Sequence, residues 1–68
     1  MQISARNQLA GQIRAIHLGA VMAEVEIDLP GGQSIVAAIT RASVERMQLR
    51  EGDDVTAIIK STEVLVAK

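Results

Sequence analysis

The segment AVMAEVEIDLPGGQSIVAAIT, residues 20–40, decides how this chain folds. Over residues 20–29 apolar and polar side chains alternate with a period of two, which is typical of a strand with one buried face. The apolar face holds Val21, Ala23, Val25, Ile27 and Leu29, and the other face holds Met22, Glu24, Glu26 and Asp28. The following Pro-Gly-Gly favours a turn, because proline fixes φ and glycine accepts positive φ. Residues 33–40 are therefore predicted to return as the second strand of a hairpin.

Three more strands are predicted around this hairpin. The segments 9–18, 55–60 and 64–68 are rich in aliphatic and β-branched residues. Gly11 interrupts the first of them and marks a bulge or a close approach of backbone. Gly52 marks a turn.

Residues 40–49, TRASVERMQL, break the period of two. Val44 and Met47 lie at helical spacing, and Thr40 is a suitable N-cap, so one to two helical turns are predicted. The sequence as a whole predicts an all-β fold, a small five-stranded OB-like barrel with one short helix, as a single domain over residues 1–68.

Both faces of the return strand are apolar. Ile35, Ala37 and Ile39 lie on one face, and Val36 and Ala38 lie on the other. A small barrel has only one interior, so the second apolar face predicts contact with another copy of the chain. The composition agrees, since the 68 residues include no aromatic residue and no cysteine. Domains this small usually depend on aromatic burial, disulfides, metals or oligomerisation, and we expect a homo-oligomer.

Several classes of function are disfavoured by composition. Seven basic and eight acidic residues give a net charge of −1, and a basic groove with aromatic side chains for nucleic acid is missing. No apolar run is long enough to span a membrane, and no signal-peptide pattern is visible, so a cytoplasmic protein is expected. His17 is the single histidine, which argues against a directly coordinated metal cation. No catalytic motif is recognisable, so we expect neither an enzyme nor an organic cofactor.

Two short segments at the chain ends are rich in hydrogen-bond donors. They contain Ser4, Arg6 and Asn7 near the start, and Lys60, Ser61 and Thr62 near the end. Hydroxyl groups, turn N–H groups, an ammonium and the planar fork of an arginine all suit an oxyanion. The alternative is structural: residues 60–62 cap an ordinary turn, and residues 4–7 are a hydrophilic, mobile terminus.

A third donor group lies where the helix begins. The first N–H groups of a helix can receive an anion, and Thr40 and Ser43 lie beside them in the sequence. Simple N-capping by Thr40 is the competing interpretation. Arg41 and Arg46 on the same helix are interpreted as ordinary surface charge.

The segments ISARNQLAGQI, GAVMAEVEIDLPGGQSIVAAIT and ASVERMQLREGDDVTAIIKSTEVLVA together resemble the molbindins, the small Mop-domain proteins. SARNQL and AIIKSTEVLVA are the most specific parts. The resemblance implies an OB-like unit that assembles as a trimer of dimers, a homohexamer. It also implies cytoplasmic storage or homeostasis of molybdate, with binding of tungstate as well, and anions held at subunit interfaces.

The residues that match the family's motifs are carried over one by one as the expected oxyanion site. They are Ser4, Arg6, Asn7, Gly19, Ala20, Ser43, Lys60, Ser61 and Thr62. Two other functions stay open at this point: a molybdate-sensing regulatory module that acts through a partner protein, and an oligomerisation module without a ligand.

Overall fold

A computed structural model describes residues 2–68 of the chain, which form four strands, one helix and one 3₁₀ turn. The elements are β1 (Asn7–Leu18), β2 (Met22–Asp28), β3 (Ser34–Thr40), α1 (Arg41–Met47), β4 (Asp54–Ile59) and the 3₁₀ turn (Ser61–Glu63). The strands form one antiparallel sheet in the order β3-β2-β1-β4. No helix within residues 2–68 is long and apolar enough to cross a membrane.

The central hairpin is formed by β2 and β3, as predicted. Its register pairs Ile27 with Ile35 and Met22 with Thr40. The Leu29 N–H donates to the Gln33 carbonyl at 2.7 Å and closes the loop. Gly31 and Gly32 have φ values of 93° and 88°, which only glycine adopts without strain. The turn signal in the sequence therefore has a direct backbone cause.

The long strand β1 pairs with β4 along its first half and with β2 along its second half. A Cβ added at Gly11 would lie 2.6 Å from Ile27 Cγ2 and 2.7 Å from the Asp28 carbonyl oxygen. The close approach predicted at Gly11 is therefore confirmed. The irregularity in the β1–β2 register lies elsewhere, between Ile13 and Ala15.

The helix α1 is seven residues long and is capped as predicted. The Ser43 N–H donates to Thr40 Oγ1 at 3.1 Å, and Val44 is buried against the sheet. Met47, which was expected on the packed side, is 59% exposed. The helix ends there because Gln48 takes a left-handed conformation, and this reversal brings Leu49 against the core instead.

The core lies on the concave side of the sheet and beneath α1. Its buried members are Ile13, Ala23, Val25, Ile27 and Val44. The alternation in β2 therefore predicted the buried face correctly from Ala23 onward. Val21 is 71% exposed, because it lies in the loop before β2 and not on the strand.

The predicted mostly-β, OB-like fold with one short helix is confirmed, but the single chain forms four strands and a half-barrel where five strands and a closed barrel were predicted. Residues 64–68 pair with no strand within residues 2–68, and Leu65 and Val66 are each 92% exposed. The 3₁₀ turn carries the chain beyond the sheet, and an apolar sequence alone does not make a strand without a partner. The four strands form a curled half-barrel. Its two edge strands, β3 and β4, border an open groove of about 700 Å³ lined by residues 35–39 and 56–59.

The chain is more open than a compact monomer of its mass. Its accessible surface is 5499 Å², whereas about 4,100 Å² is typical of a folded 7.2 kDa monomer. Its radius of gyration is 12.5 Å, against about 11 Å for a compact chain of this length. Both quantities reflect the open groove and the extended tail.

Candidate functional site

The donor segments at the two chain ends lie together at one end of the sheet. β1 and β4 are antiparallel, and their register pairs Asn7 with Ile59. Arg6 therefore precedes the pair on one strand and Lys60 follows it on the other. The Gln8 side chain also donates to the Ala5 carbonyl at 2.7 Å, which gives the start of the chain a local structure of its own.

The 3₁₀ turn after β4 presents backbone donors. Its first hydrogen bond is donated by the Glu63 N–H to the Lys60 carbonyl at 2.9 Å. The N–H groups of Ser61 and Thr62 precede that bond and have no partner inside the turn. All three predicted residues here, Lys60 to Thr62, are exposed. Glu63 is the one carboxylate in the turn, so the segment is not made of donors alone.

The loop between β1 and β2 carries the predicted Gly19 and Ala20. The Gly19 N–H donates to the Met22 carbonyl at 2.7 Å, so this N–H already has a partner within the loop between β1 and β2. A Cβ at Gly19 would lie 2.8 Å from the same carbonyl oxygen. Gly19 therefore permits the tight loop, and Ala20 is the residue whose N–H remains as a donor for a ligand.

The helix α1 begins beside this loop, and Ser43 lies in its first turn. The Arg41 N–H donates to the Val21 carbonyl at 2.8 Å. The hydroxyls of Ser43 and Thr40 are 2.8 Å apart, and only one of their two protons is needed for that bond. One hydroxyl of the pair therefore keeps a proton to donate outward. A cavity of about 480 Å³ lies here, lined by Ala20, Val21, Thr40, Arg41, Ala42 and Glu45.

The nine predicted residues thus fall into two groups, which we call the terminal group (Ser4, Arg6, Asn7 and residues 60–62) and the loop group (Gly19, Ala20 and Ser43). They lie at opposite ends of β1, which is 12 residues long. Fully extended, such a strand covers about 36 Å at ~3.3 Å per residue, and the longest dimension of the molecule is 35 Å. One tetrahedral anion cannot contact both groups of the same chain.

Arg41 is the residue that the sequence interpretation missed. Its guanidinium donates to the Gly19 carbonyl at 3.4 Å and to Glu45 Oε1 at 2.9 Å. The register between β2 and β3 accounts for the position of Arg41. Thr40 lies opposite Met22, so the next residue, Arg41, must lie beside the loop that precedes Met22.

The acidic face of β2 is engaged in ion pairs. Arg14 contacts Glu26 at 2.9 Å and Asp28 at 3.3 Å, and His17 Nε2 contacts Glu26 at 2.7 Å. The hydrogen bond with His17, followed by that with Arg14, holds the pKa of Glu26 below its ordinary value. No group of three metal-ligating side chains is present within residues 2–68. These carboxylates therefore form a surface network of charge pairs.

Known proteins of similar sequence and structure provide a separate test of the fold. Residues 3–66 match the TOBE domain family. The chain is 44% identical over 66 residues to molybdenum-pterin-binding protein 3 of Clostridium pasteurianum, with 97% of each chain covered. A molybdate-binding protein from Sporomusa ovata, whose structure is solved, superposes with a TM-score of 0.94 at 46% identity over the full length of both chains.

A third similar protein is the cytoplasmic molybdate-binding protein ModG, in a crystal form with molybdate bound. It superposes with a TM-score of 0.86 at 39% identity, covering 90% of this chain and 43% of ModG.

Proposed function

This chain belongs to the TOBE domain family, and from that premise we propose that it binds molybdate as a self-assembled oligomer. The observation that carries the proposal is the pairing of Asn7 with Ile59. That pairing brings two donor segments, far apart in sequence, to one end of the sheet. The names of its relatives supply the ligand class, since they include molybdate-binding proteins.

The chemistry of the terminal group suits molybdate. At neutral pH molybdate is a tetrahedral dianion with four acceptor oxygens and no proton. Arg6 and Lys60 offer charge-assisted hydrogen bonds, which are the strongest available. Ser4, Asn7, Ser61 and Thr62 add hydroxyl, amide and turn N–H donors. The loop group supplies Ala20 N–H and a hydroxyl, so it is a second, less charged site.

Such donors also discriminate between anions. Phosphate near neutral pH usually carries a proton, which needs an acceptor. We propose that the Glu63 carboxylate stays outside the pocket, so that this proton becomes a buried donor without a partner, which costs about 1–3 kcal/mol. Sulfate carries no proton and must be rejected because it is smaller, which requires a rigid pocket. Tungstate has the same charge and geometry as molybdate, and we propose that it binds too.

Assembly is part of this proposal because the four strands of a single chain leave the barrel open between β3 and β4. The tail, residues 64–68, spans about 17 Å when extended, and the edge strands β3 and β4 are of similar length. Its apolar side chains match the apolar groove between those edges. We propose that the tail of one chain pairs in the groove of a second copy and completes its barrel.

The exposed surface area supports the proposal that each chain contacts other copies. The chain exposes roughly 1,400 Å² more than a compact monomer of its mass, while a standard interface buries about 800 Å² on each partner. This excess is consistent with two kinds of interface, as in a trimer of dimers. The anions would then lie at junctions where groups from different chains meet, and bound dianions would stabilise the assembly by mass action.

The biological role that fits these features is storage and homeostasis of molybdate in the cytoplasm. The donors of the terminal and loop groups suit reversible binding of an anion, and this is the task that we propose for the chain.

Isothermal titration calorimetry of the assembled protein tests the proposal. We expect molybdate and tungstate to bind more tightly than phosphate or sulfate. Lys60→Ala should weaken molybdate binding by roughly 1.5–3 kcal/mol, the range for a hydrogen bond to a charged group. Arg46→Ala, which removes an exposed cation of α1 that belongs neither to the site nor to the tail, is the matched control. Equal affinities for all four anions would refute the proposed donor pocket.

A further inference from the structure

We infer that Arg41 is a positioning residue that aims the Ala20 N–H at the oxyanion of the loop group. The inference rests on the proposed function and names a residue that neither the donor motifs nor the proposal above assigns to the site. It depends on one juxtaposition, in which a single arginine holds both carbonyls that flank the Ala20–Val21 loop.

The first contact is a hydrogen bond from the Arg41 side chain. The Arg41 guanidinium donates to the Gly19 carbonyl at 3.4 Å. That carbonyl and the Ala20 N–H belong to the same trans peptide unit, and the planarity of the unit makes the two groups point in opposite directions. A donor that fixes the Gly19 oxygen on the Arg41 side therefore fixes the Ala20 N–H on the other side.

The second contact is a hydrogen bond from the Arg41 backbone. The Arg41 N–H donates to the Val21 carbonyl at 2.8 Å, so the loop is tied to α1 at both ends. The guanidinium is itself held by Glu45, four residues along the helix, at 2.9 Å. Because that ion pair balances the arginine's charge, Arg41 acts on the loop through orientation more than through net charge.

The orientation of the Gly19–Ala20 peptide matters because its carbonyl oxygen would repel the anion. A carbonyl oxygen turned toward an oxyanion places acceptor against acceptor, whereas an N–H donates to it. The peptide follows Gly19, which lacks a Cβ and so offers little steric resistance to rotation. Without Arg41, no side chain within residues 2–68 donates a hydrogen bond to the Gly19 carbonyl.

Nuclear magnetic resonance of the full chain tests this directly. The residual dipolar coupling of the Ala20 amide reports the direction of its N–H bond without any ligand. Titration with molybdate, followed at the Ala20 and Ser61 amides, reports affinity at the two groups separately. The variants are Arg41→Met and Arg41→Lys, with Arg46→Met as the control that removes the same charge from the same helix.

We expect the Ala20 coupling to change in Arg41→Met, to return toward wild type in Arg41→Lys, and to stay unchanged in Arg46→Met. Molybdate affinity at Ala20 should fall about tenfold in Arg41→Met, which corresponds to about 1.4 kcal/mol, while affinity at Ser61 is retained. The Arg41 side chain is 45% exposed, so the core stays intact. If Arg41→Met does not fold, Arg41→Ala, which likewise has no side-chain donor, is measured against the same criteria.

An unchanged Ala20 coupling and an unchanged Ala20 affinity in Arg41→Met would overturn the inference while leaving molybdate binding at Ser61 intact. If neither the Ala20 amide nor the Ser61 amide of the wild-type protein shifts when molybdate is added, the proposed function and this inference are both overturned. The two failures are therefore distinguishable.

Discussion

Replacement of Leu65 by alanine tests whether the exposed tail is the element that joins the chains. Leu65 is 92% exposed in the single chain, so its truncation should leave the chain's own core unaffected. If the side chain is buried in a second copy, removing three carbons costs about 2.4 kcal/mol at ~0.8 kcal/mol per CH₂.

A two-fold pair contains this contact twice, so the loss is about 5 kcal/mol for each pair of chains. That loss corresponds to between three and four orders of magnitude in the dissociation constant. Sedimentation velocity over a dilution series should show Leu65→Ala dissociating at far higher concentration than wild type. Glu51→Ala, in the exposed turn after α1, is the control and should dissociate as wild type does. A dissociation constant for Leu65→Ala within tenfold of wild type would refute the role of the tail.

Three further changes follow from individual contacts. Gly11→Ala should lower stability by about 1–3 kcal/mol, measured as a lower thermal midpoint, because its Cβ would lie 2.7 Å from the Asp28 carbonyl oxygen; an unchanged midpoint would contradict the close approach. Gly19→Ala should weaken molybdate binding at the Ala20 amide but not at Ser61, since its Cβ would meet the Met22 carbonyl at 2.8 Å; equal losses at both amides would contradict separate sites. The pKa of Glu26 is lowered by its bonds to His17 and then Arg14, so its stabilising contribution is present above the unfolded-state pKa of about 4.3 and is lost as pH falls through the folded-state pKa. The stability difference between wild type and Glu26→Gln in urea titrations should therefore shrink in acid, and a difference independent of pH would contradict the ion pairs.

The sequence predicted well those features that depend on neighbouring residues. The alternation from Ala23 to Ile27, the glycines of the Pro-Gly-Gly turn and the Thr40 cap each have a local cause, and the structure confirms each one. The steric reason for Gly11 is similar, because a residue without a Cβ inside a strand signals a close neighbour.

The features that the sequence missed depend on distant partners. The segment 64–68 has strand-like composition, but a strand requires a paired edge, and this segment leaves the sheet after the 3₁₀ turn without pairing with either edge strand of its own chain. Met47 has helical spacing and lies in α1, but the left-handed Gln48 ends the helix directly after it and Leu49 takes the packed position.

The candidate site follows the same division. Its donor types could be recognised from the two end segments, while their meeting depends on the register between β1 and β4. The separation into terminal and loop groups, and the position of Arg41, also required the three-dimensional arrangement. Gly19 shows why residue type alone is insufficient, because its N–H is already bonded to Met22.

A crystal structure of the protein grown with excess molybdate, with anomalous diffraction measured at the molybdenum absorption edge, tests the central claim most directly. We expect molybdenum peaks at junctions between chains, beside the donors of residues 60–62 from one copy and groups from another. Well-ordered crystals in which every junction lacks molybdenum, or in which molybdenum is held within one chain alone, would contradict it.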